Sequence, residues 1–182
     1  KCASLDWKLG MGTCHNCDSV FQLHTFKRKG KAEKEYVKPE TEVASGIQSE
    51  KIIKWFSDRG ISQQTLNELR VTDGSEWMPQ TQKAEHTIQF NYFIGNKLTN
   101  IKYRDARKNF KLFKGAEKVF YNIDSTIGYE YCIIAEGEMD VLALHEAGIH
   151  NAISVPNGAT LNRNNLDYLD NCIDYFDDKE KV

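Results

Sequence analysis

The sequence has no long apolar run. None of its 182 residues lies in an apolar stretch close to the ~20 residues that cross a bilayer, and Lys1–Asp6 carries no signal-peptide pattern. We therefore expect a cytoplasmic protein without a membrane partner. Its five cysteines are too few for a disulfide framework at this length, and two of them form one Cys-x-x-Cys, which favours metal binding in a reducing compartment.

Two patterns for phosphate and metal chemistry are also missing. There is no Gly-x-x-x-x-Gly-Lys-[Ser/Thr], which excludes the phosphate loop of a helicase from these residues. No two aspartates stand two residues apart, so the chain has no Asp-x-Asp pair for metal. The chain begins with Lys1 rather than methionine, and the polar segment before Val182 leads toward a strand that is not there. We therefore expect a fragment of a longer protein.

Positive and negative charges are unevenly distributed. Residues 1–118 contain 21 Lys and Arg against 14 Asp and Glu, whereas residues 119–182 contain 3 against 12. A basic part beside an acidic part indicates one surface for a polyanion and another for a cation. Solvated faces of opposite sign explain the same distribution, so charge alone does not decide between the two interpretations.

The most informative stretch of the chain is Tyr131–Ala135 with the residues that follow it. These five apolar residues predict a buried parallel strand, which Glu136-Gly137 ends. Glu136 therefore stands at the carboxyl end of a strand. Ligands bind at that edge in open α/β sheets, so this carboxylate is a candidate functional group.

A helix and a second strand follow this turn. From Glu138 the apolar residues take a helical period that stops at Gly148. The predicted apolar face consists of Val141, Leu142, Leu144 and Ala147. Ala152–Val155 predicts the next strand, and Pro156–Ala159 predicts a turn in which Gly158 supplies the backbone freedom.

Residues 1–26 alternate short apolar segments with turns and place Cys14 and Cys17 on a tight turn. Structural zinc needs four ligands, normally from two such pairs, so this pair supplies half of a site. Alternative ligands are Cys2, His15 and His24, and the pair is otherwise a redox couple or two incidental thiols. The charged segment 27–48, which has no periodicity, predicts a linker that is mobile at least in part.

Helices are predicted on both sides of the strands. Ser49 is the expected N-cap of a helix that ends at Arg59-Gly60, and Gln63–Arg70 is a second short helix. A last helix is expected over Leu161–Phe176, with an apolar face of Leu166, Leu169, Ile173 and Phe176. The aromatic residues that have the shape to stack on bases are predicted to be core residues instead: Trp55, Phe56 and Trp77.

A β-hairpin is predicted between these helices, because Thr87–Phe93 and Leu98–Arg104 both alternate and Gly95-Asn96 makes the turn. Lys102 and Arg104 share one face of the second strand, so both cations project toward the same partner. They are candidates for a phosphate grip. The alternative is an edge strand that Lys and Arg protect against aggregation.

Three motifs together resemble a known family. Glu136–Asp140 followed by Ser154–Ala159 resembles the first half of a Toprim domain. Lys102–Phe110 is similar to the basic strand that precedes Toprim in phage-type bifunctional primase-helicases and the Twinkle-like proteins. The Cys14/Cys17 pair is similar to the second half of the zinc module of that family, and Ser49–Arg70 fits the start of its polymerase core.

The resemblance implies an α/β fold, in which an α+β N-terminal part is followed by the first half of a Rossmann-like parallel Toprim sheet. A partial zinc ribbon stands at the N-terminus. The implied domains are the partial zinc-binding ribbon (1–26), a linker (27–48), an N-terminal basic subdomain of the primase core (49–124) and an incomplete Toprim domain (125–182).

The resemblance implies a fragment of a DNA primase, which makes RNA primers on a single-stranded DNA template from ribonucleoside triphosphates by metal-dependent nucleotidyl transfer. The implied cofactors are Mg²⁺ or Mn²⁺, with Zn²⁺ in the intact protein. A helicase domain in cis or in trans is the implied partner. The implied location is the cytoplasm of a bacterial or phage-infected cell.

Site residues follow from the same resemblance. Glu136 would hold the metal or act as the base on the attacking hydroxyl. Lys102, Arg104 and Lys108 would contact the phosphates of the incoming nucleotide or of the template. Asp140 either supports the metal without touching it or caps the first turn of its own helix.

The departures from the family leave alternatives open. The family's Toprim site combines the glutamate with an Asp-x-Asp pair on the third strand, which this sequence lacks, so we expect this chain alone to be inactive. One alternative is a non-catalytic single-stranded nucleic-acid-binding module of a phage or mobile element. A Toprim nuclease or topoisomerase fragment is the other, and Lys102–Phe110 argues against it, because that strand belongs to primase-helicases.

Overall fold

The computed structural model describes residues 3–6, 11–14, 16–22, 35–39, 48–157, 166–180 and 182. The chain divides into two compact units, Lys1–Glu35 and Tyr36–Val182. None of the helices in these described ranges has both the length and the apolar character that a bilayer crossing requires.

The first unit contains a three-stranded antiparallel sheet of β1 (Ala3–Asp6), β2 (Met11–Cys14) and β3 (Val20–Gln22), in that order. The turn between β2 and β3 carries Cys17, as predicted, whereas Cys14 is the last residue of β2 rather than part of the turn. The three alternative zinc ligands lie outside the described residues: Cys2, His15 and His24. The zinc ribbon itself stays a prediction.

The predicted linker 27–48 is described only over residues 35–39 and at Gln48. Tyr36–Pro39 lies in the second unit, where the Val37 N–H donates to the Gly115 carbonyl oxygen at 3.0 Å. At the C-terminal end of the linker, buried Gln48 donates from Nε2 to the Val71 carbonyl oxygen at 2.8 Å. The chain therefore joins the second unit earlier than its charged composition predicts, because hydrogen bonds to backbone groups hold both of these described parts in place. The rest of the linker lies outside the described residues.

Two short helices open the second unit, α1 (Glu50–Ser57) and α2 (Gln63–Glu68), as predicted. Ser49 occupies the N-cap position of α1, but its side chain makes no capping hydrogen bond. The Ser49 hydroxyl donates instead to Asp73 Oδ2 at 2.7 Å, and the Ser49 N–H donates to Asp73 Oδ1 at 2.8 Å. A contact with a distant residue therefore replaces the predicted local cap.

The helices bury their apolar residues in one core with the sheet and with the later part of the chain. Phe56 is fully buried in this core, as predicted, whereas Trp55 is half-buried. The core prediction is wrong for Trp77, which is 56% exposed. Trp77 lies on a strand, where neighbouring side chains point to opposite faces, and Met78 takes the buried position beside it.

A four-stranded antiparallel sheet follows, in the order β4 (Thr72–Met78), β5 (Lys83–Ile94), β6 (Lys97–Asp105) and β7 (Phe110–Leu112). The predicted hairpin is confirmed as β5 and β6. The edge-strand alternative is wrong, because β6 pairs with β5 on one side and β7 on the other. Neither β4 nor β7 was predicted, since one is mostly polar and the other has three residues.

β8 (Ile133–Ala135) and β9 (Ala152–Ser154) form a two-stranded parallel sheet, as predicted. In the chain, α3 (Glu138–Glu146) lies between these two strands, as predicted. The helix stops before Gly148, whose φ of +83° favours glycine. The predicted burial of the first strand is wrong in part, because Ile134 is 40% exposed. Within the described ranges β8 pairs only with β9, so one of its sides lacks a covering strand.

Part of the predicted apolar face of α3 is also corrected. Val141 and Leu142 are buried and Leu144 is partly buried, whereas Ala147 follows the last helical residue and is exposed. The predicted turn at Pro156–Ala159 is only partly described, since Gly158 and Ala159 lie outside the described residues.

The last helical segment is α4 (Asp167–Cys172), which continues as a 3-10 helix over Ile173–Phe176. The start of the predicted helix lies outside the described residues. Its predicted apolar face is wrong at three positions that are exposed: Leu166, Leu169 and Ile173. Tyr168 and Cys172 are buried instead, and the Tyr168 ring packs edge-on against Phe120 with 4.8 Å between centroids. Because of this aromatic contact, the helix buries the face with Tyr168 rather than the apolar face that its sequence period predicts.

Candidate functional site

Glu136–Asp140, here called the acidic turn, runs from the end of β8 into the first turn of α3 and presents three carboxylates, each in a different environment. Glu136 is exposed, directly after β8. Asp140 Oδ2 accepts a hydrogen bond from the Gly137 N–H at 3.0 Å, so this side chain caps the start of α3. Glu138 is buried. In the described part of the chain, Glu136 is the carboxylate of the turn that has no hydrogen bond or ion pair.

Glu138 lies at the centre of a buried polar cluster. Lys102 Nζ donates to its Oε1 at 2.8 Å and to its Oε2 at 3.0 Å, and the Tyr92 hydroxyl donates to Oε1 at 2.5 Å. The side chains of Lys102 and Glu138 are only 12% and 4% exposed. Burial, and then the negative charge of Glu138, raise the pKa of Tyr92 well above its usual value. Tyr92 therefore stays a neutral hydrogen-bond donor.

Lys102 and Arg104 share a face of β6, as the alternation predicts, because Ile101, Tyr103 and Asp105 are buried between them and on either side. The two cations nevertheless have different partners. Lys102 is bound to Glu138, whereas the Arg104 guanidinium lies over the Trp55 ring at 4.9 Å from its centroid. The prediction that both project toward one partner is therefore wrong. Their role in phosphate binding stays a prediction.

Arg104 has a second arginine beside it. The Arg59 guanidinium lies 3.6 Å from the centroid of the same Trp55 ring, and its Nη1 donates to the Trp55 carbonyl oxygen at 2.8 Å. Burial lowers the pKa of Arg104, and the positive charge of Arg59 lowers it further. Two positive charges that repel each other in this way favour a bound anion nearby. Arg59 was not predicted, since nothing in the local sequence links the end of α1 to β6.

Lys108 lies in the turn after β6 and is exposed, with a φ of +65°. The neighbouring Asp105 holds this turn: its Oδ1 accepts hydrogen bonds from the N–H groups of Arg107 at 2.9 Å and Asn109 at 2.8 Å. A positive φ costs energy for a residue with a Cβ, and these bonds offset that cost. The turn therefore presents the Lys108 ammonium to solvent from a defined backbone position.

One thiol of the cysteine pair in the first unit has a lowered pKa. Cys17 Sγ lies 2.5 Å from Ser19 Oγ, and this hydrogen bond, with one from the Ser19 backbone, lowers the pKa of Cys17. A lowered thiol pKa favours the thiolate that binds metal or exchanges disulfides. Cys14 and Cys17 are both free of disulfides.

Metal ligands are sparse in the ranges that the structure describes. No group of three or more His, Cys, Asp or Glu side chains is arranged to hold an ion there. Two thiols fit half of a tetrahedral zinc site. One uncommitted carboxylate at Glu136 fits Mg²⁺, because Mg²⁺ keeps several waters and is commonly held by one or two carboxylates together with substrate phosphates.

The chain is similar to known proteins in both sequence and structure. No family model matches the chain. The "Primase homolog protein" of Arabidopsis thaliana is 32% identical over 144 residues, which cover 73% of this chain and 41% of that protein. The "Twinkle homolog protein, chloroplastic/mitochondrial" of the same plant is 36% identical over 110 residues, which cover 60% of this chain and 15% of that protein. The resemblance to the primase-helicase family is confirmed.

This primase-like chain spans less than half the length of the two curated relatives. The fold is also that of primases. The primase fragment of the bacteriophage T7 primase-helicase protein is 21% identical, with a TM-score of 0.50 over 86% of this chain and 62% of that chain.

A second solved structure has the same fold. It is the RNA polymerase domain of Mycobacterium tuberculosis primase DnaG in complex with a double-stranded DNA oligomer with a 6-nucleotide overhang. It is 12% identical, with a TM-score of 0.54 over 76% of this chain and 56% of that chain. These likenesses concern the fold alone. They confirm the predicted class, a mixed helix and sheet fold with antiparallel and parallel parts.

Proposed function

We propose that this chain is part of a DNA primase that makes RNA primers on single-stranded DNA by metal-dependent nucleotidyl transfer. The observation that carries the proposal is that two of the three carboxylates in the acidic turn have structural partners and one does not. Asp140 caps α3 and Glu138 binds Lys102, which leaves the Glu136 carboxylate uncommitted at the carboxyl end of β8. The similarity of the chain to a primase homologue and a Twinkle homologue supports this function.

Glu136 is proposed to hold Mg²⁺ or Mn²⁺, directly or through water. A bound divalent ion would stabilise the charge that develops on a transferred phosphate. The chain itself would orient this carboxylate. The Gly137 N–H donates to Asp140, and the Glu138 side chain is bound by Lys102. These two contacts hold the backbone on the C-terminal side of Glu136. The alternative role proposed for Glu136 is to accept a proton from an attacking hydroxyl.

Lys102, Arg104 and Lys108 are proposed to bind phosphates of the template or of ribonucleoside triphosphates, together with Arg59. A guanidinium without a carboxylate partner offers paired donors to phosphate oxygens. Trp55 holds Arg59 and Arg104 on its ring, so the charges stay together without an anion present. The presence of DNA in one of the structurally similar primases supports a nucleic-acid partner.

Zinc and a helicase complete the proposal for the parent protein. Cys14 and Cys17 are proposed to bind Zn²⁺ with two further ligands, in a module that reads the template. A helicase domain in cis or in trans is the proposed partner, which the similarity to a Twinkle homologue supports. A structural zinc supplies on the order of 10 kcal/mol to such modules, so its removal would unfold the first unit.

The test is primer synthesis by the full-length protein on a single-stranded DNA template with ribonucleoside triphosphates and Mg²⁺. We expect template-dependent oligoribonucleotides from the wild type and none from Glu136→Gln. Glu130→Gln is the matched control, because Glu130 is an exposed acid of the same region outside the turn. Wild-type protein that binds single-stranded DNA but makes no primers would favour the alternative, a non-catalytic binding module. Cleavage of the template would favour a Toprim nuclease.

A further inference from the structure

The ion pair between Glu138 and Lys102 joins α3 to the antiparallel sheet. Glu138 belongs to the first turn of α3, and Lys102 lies 36 residues earlier, on β6. The lysine ammonium reaches both carboxylate oxygens, at 2.8 and 3.0 Å. Tyr92, which is fully buried on β5, donates to the same carboxylate. Three elements therefore meet at one carboxylate, two residues after Glu136.

Stability alone does not account for such a cluster. Removing two charges from water costs about as much as their attraction returns, so an apolar trio of the same volume would stabilise the fold at least as well. The same sheet contains a looser version of the cluster, in which Lys111 Nζ contacts Glu76 Oε1 at 2.7 Å with both side chains about a quarter exposed. The buried version is the one that stands beside the acidic turn.

We propose that Glu138 is a positioning residue for the nucleotidyl transfer proposed above, on which this inference rests. It holds the Lys102 ammonium in one place beside the Glu136 turn, and Tyr92 fixes the carboxylate that does so. A free lysine side chain samples many rotamers and would meet a phosphate from varying directions. A lysine held by a buried carboxylate offers its remaining hydrogen-bonding capacity from a fixed point, which is the condition for efficient positioning of a substrate.

The test uses the full-length protein with Glu138→Gln, and Glu76→Gln as the matched control. Two quantities are measured: the rate of Lys102 acetylation by acetic anhydride, followed by mass spectrometry, and the kcat and KM of primer synthesis. We expect Glu138→Gln to acetylate Lys102 at least about tenfold faster and to lower kcat at least about tenfold, with the KM for the template unchanged. Glu76→Gln should raise the labelling of Lys111 only and leave kcat unchanged.

A second variant covers the case in which Glu138→Gln leaves a buried lysine unpaired and unfolds the protein. Lys102→Met/Glu138→Gln removes both charges, while the glutamine amide oxygen still accepts from Tyr92. We expect this double variant to fold, by circular dichroism, and to keep the low kcat. A return of kcat to the wild-type value would overturn the inference, because the carboxylate would then only neutralise a buried lysine.

The two proposals fail in different ways. Unchanged Lys102 labelling in Glu138→Gln, or full activity of that variant beside an active wild type, overturns the positioning role and leaves primase function intact. A wild-type protein that makes no primers overturns the proposed function, and the positioning role with it.

Discussion

The Arg104 guanidinium lies over the ring of Trp55, 4.9 Å from its centroid, and Arg59 lies 3.6 Å from the same centroid. Neither guanidinium forms an ion pair with a carboxylate in the ranges described. A cation over an indole is attracted by the ring, but two cations on one ring repel each other. The positive charge of these two arginines is therefore not neutralised by a carboxylate in the ranges described, and a nucleic-acid phosphate would neutralise it.

Removal of either arginine should weaken binding of single-stranded DNA. We expect Arg104→Ala and Arg59→Ala each to lower the slope of log K against log salt by about 0.7 for every phosphate that the variant no longer neutralises. Arg70→Ala is the control, since Arg70 lies over Phe93 and donates to Asn96 instead. The measurement is a fluorescence anisotropy titration at several salt concentrations. Slopes equal to that of the wild type would leave these arginines without a role in phosphate binding.

The 182-residue chain by itself should not make primers. Glu136 is one carboxylate, and the Asp-x-Asp pair of the family's site is absent from the sequence. We expect binding of Mg²⁺ or Mn²⁺ at millimolar concentration and of single-stranded DNA to persist, with the metal binding lost in Glu136→Gln. Isothermal titration calorimetry measures the binding of the metal and of single-stranded DNA, and a dinucleotide synthesis assay measures the activity. Dinucleotide synthesis that Glu136→Gln abolishes would mean that one carboxylate is sufficient.

Asp140 offers a way to separate its two candidate roles. Asp140→Ala should lower the free energy of unfolding by about 1 kcal/mol, because the Gly137 N–H then loses its capping acceptor. Asp140→Asn keeps a capping oxygen and should restore most of that loss in a urea denaturation experiment. If Asp140→Asn is as stable as the wild type but binds Mn²⁺ more weakly, the aspartate supports the metal as well as the helix.

Acid stability should depend on a contact between α2 and α3. Hydrogen bonds from the Thr65 hydroxyl and the Ser62 N–H lower the pKa of Glu146 below its ordinary value of 4.5. A carboxyl group whose pKa is lower in the folded state contributes stability above about pH 4.5 and loses it as the pH falls through the folded pKa. We expect Glu146→Gln to flatten the fall in stability below that pH, measured by urea denaturation from pH 3 to 7. An unchanged acid branch would contradict this.

The parallel strand, the acidic turn and the hairpin were predictable, because each rests on a pattern within a dozen residues. The alternation of Thr87–Phe93 and the period change at Glu138 are local properties of the chain. The strands β4 and β7 could not be found in this way, since their partners rather than their composition place them in the sheet. The face of the last helix was mispredicted for the same reason: Tyr168 packs on Phe120, far away in the sequence.

The sequence by itself determined where Glu136 stands, because a strand followed by a helix puts the residue between them at the carboxyl edge of a sheet. The zinc site, the domain limits and the location in the cell stay predictions. Only the tertiary structure decided which acid of the turn is uncommitted and which cations are paired. Lys102 meets Glu138 and Arg104 meets Trp55 across long separations in the chain. A sequence pattern records which charges are present, but only packing determines which of them meet and which remain for a ligand.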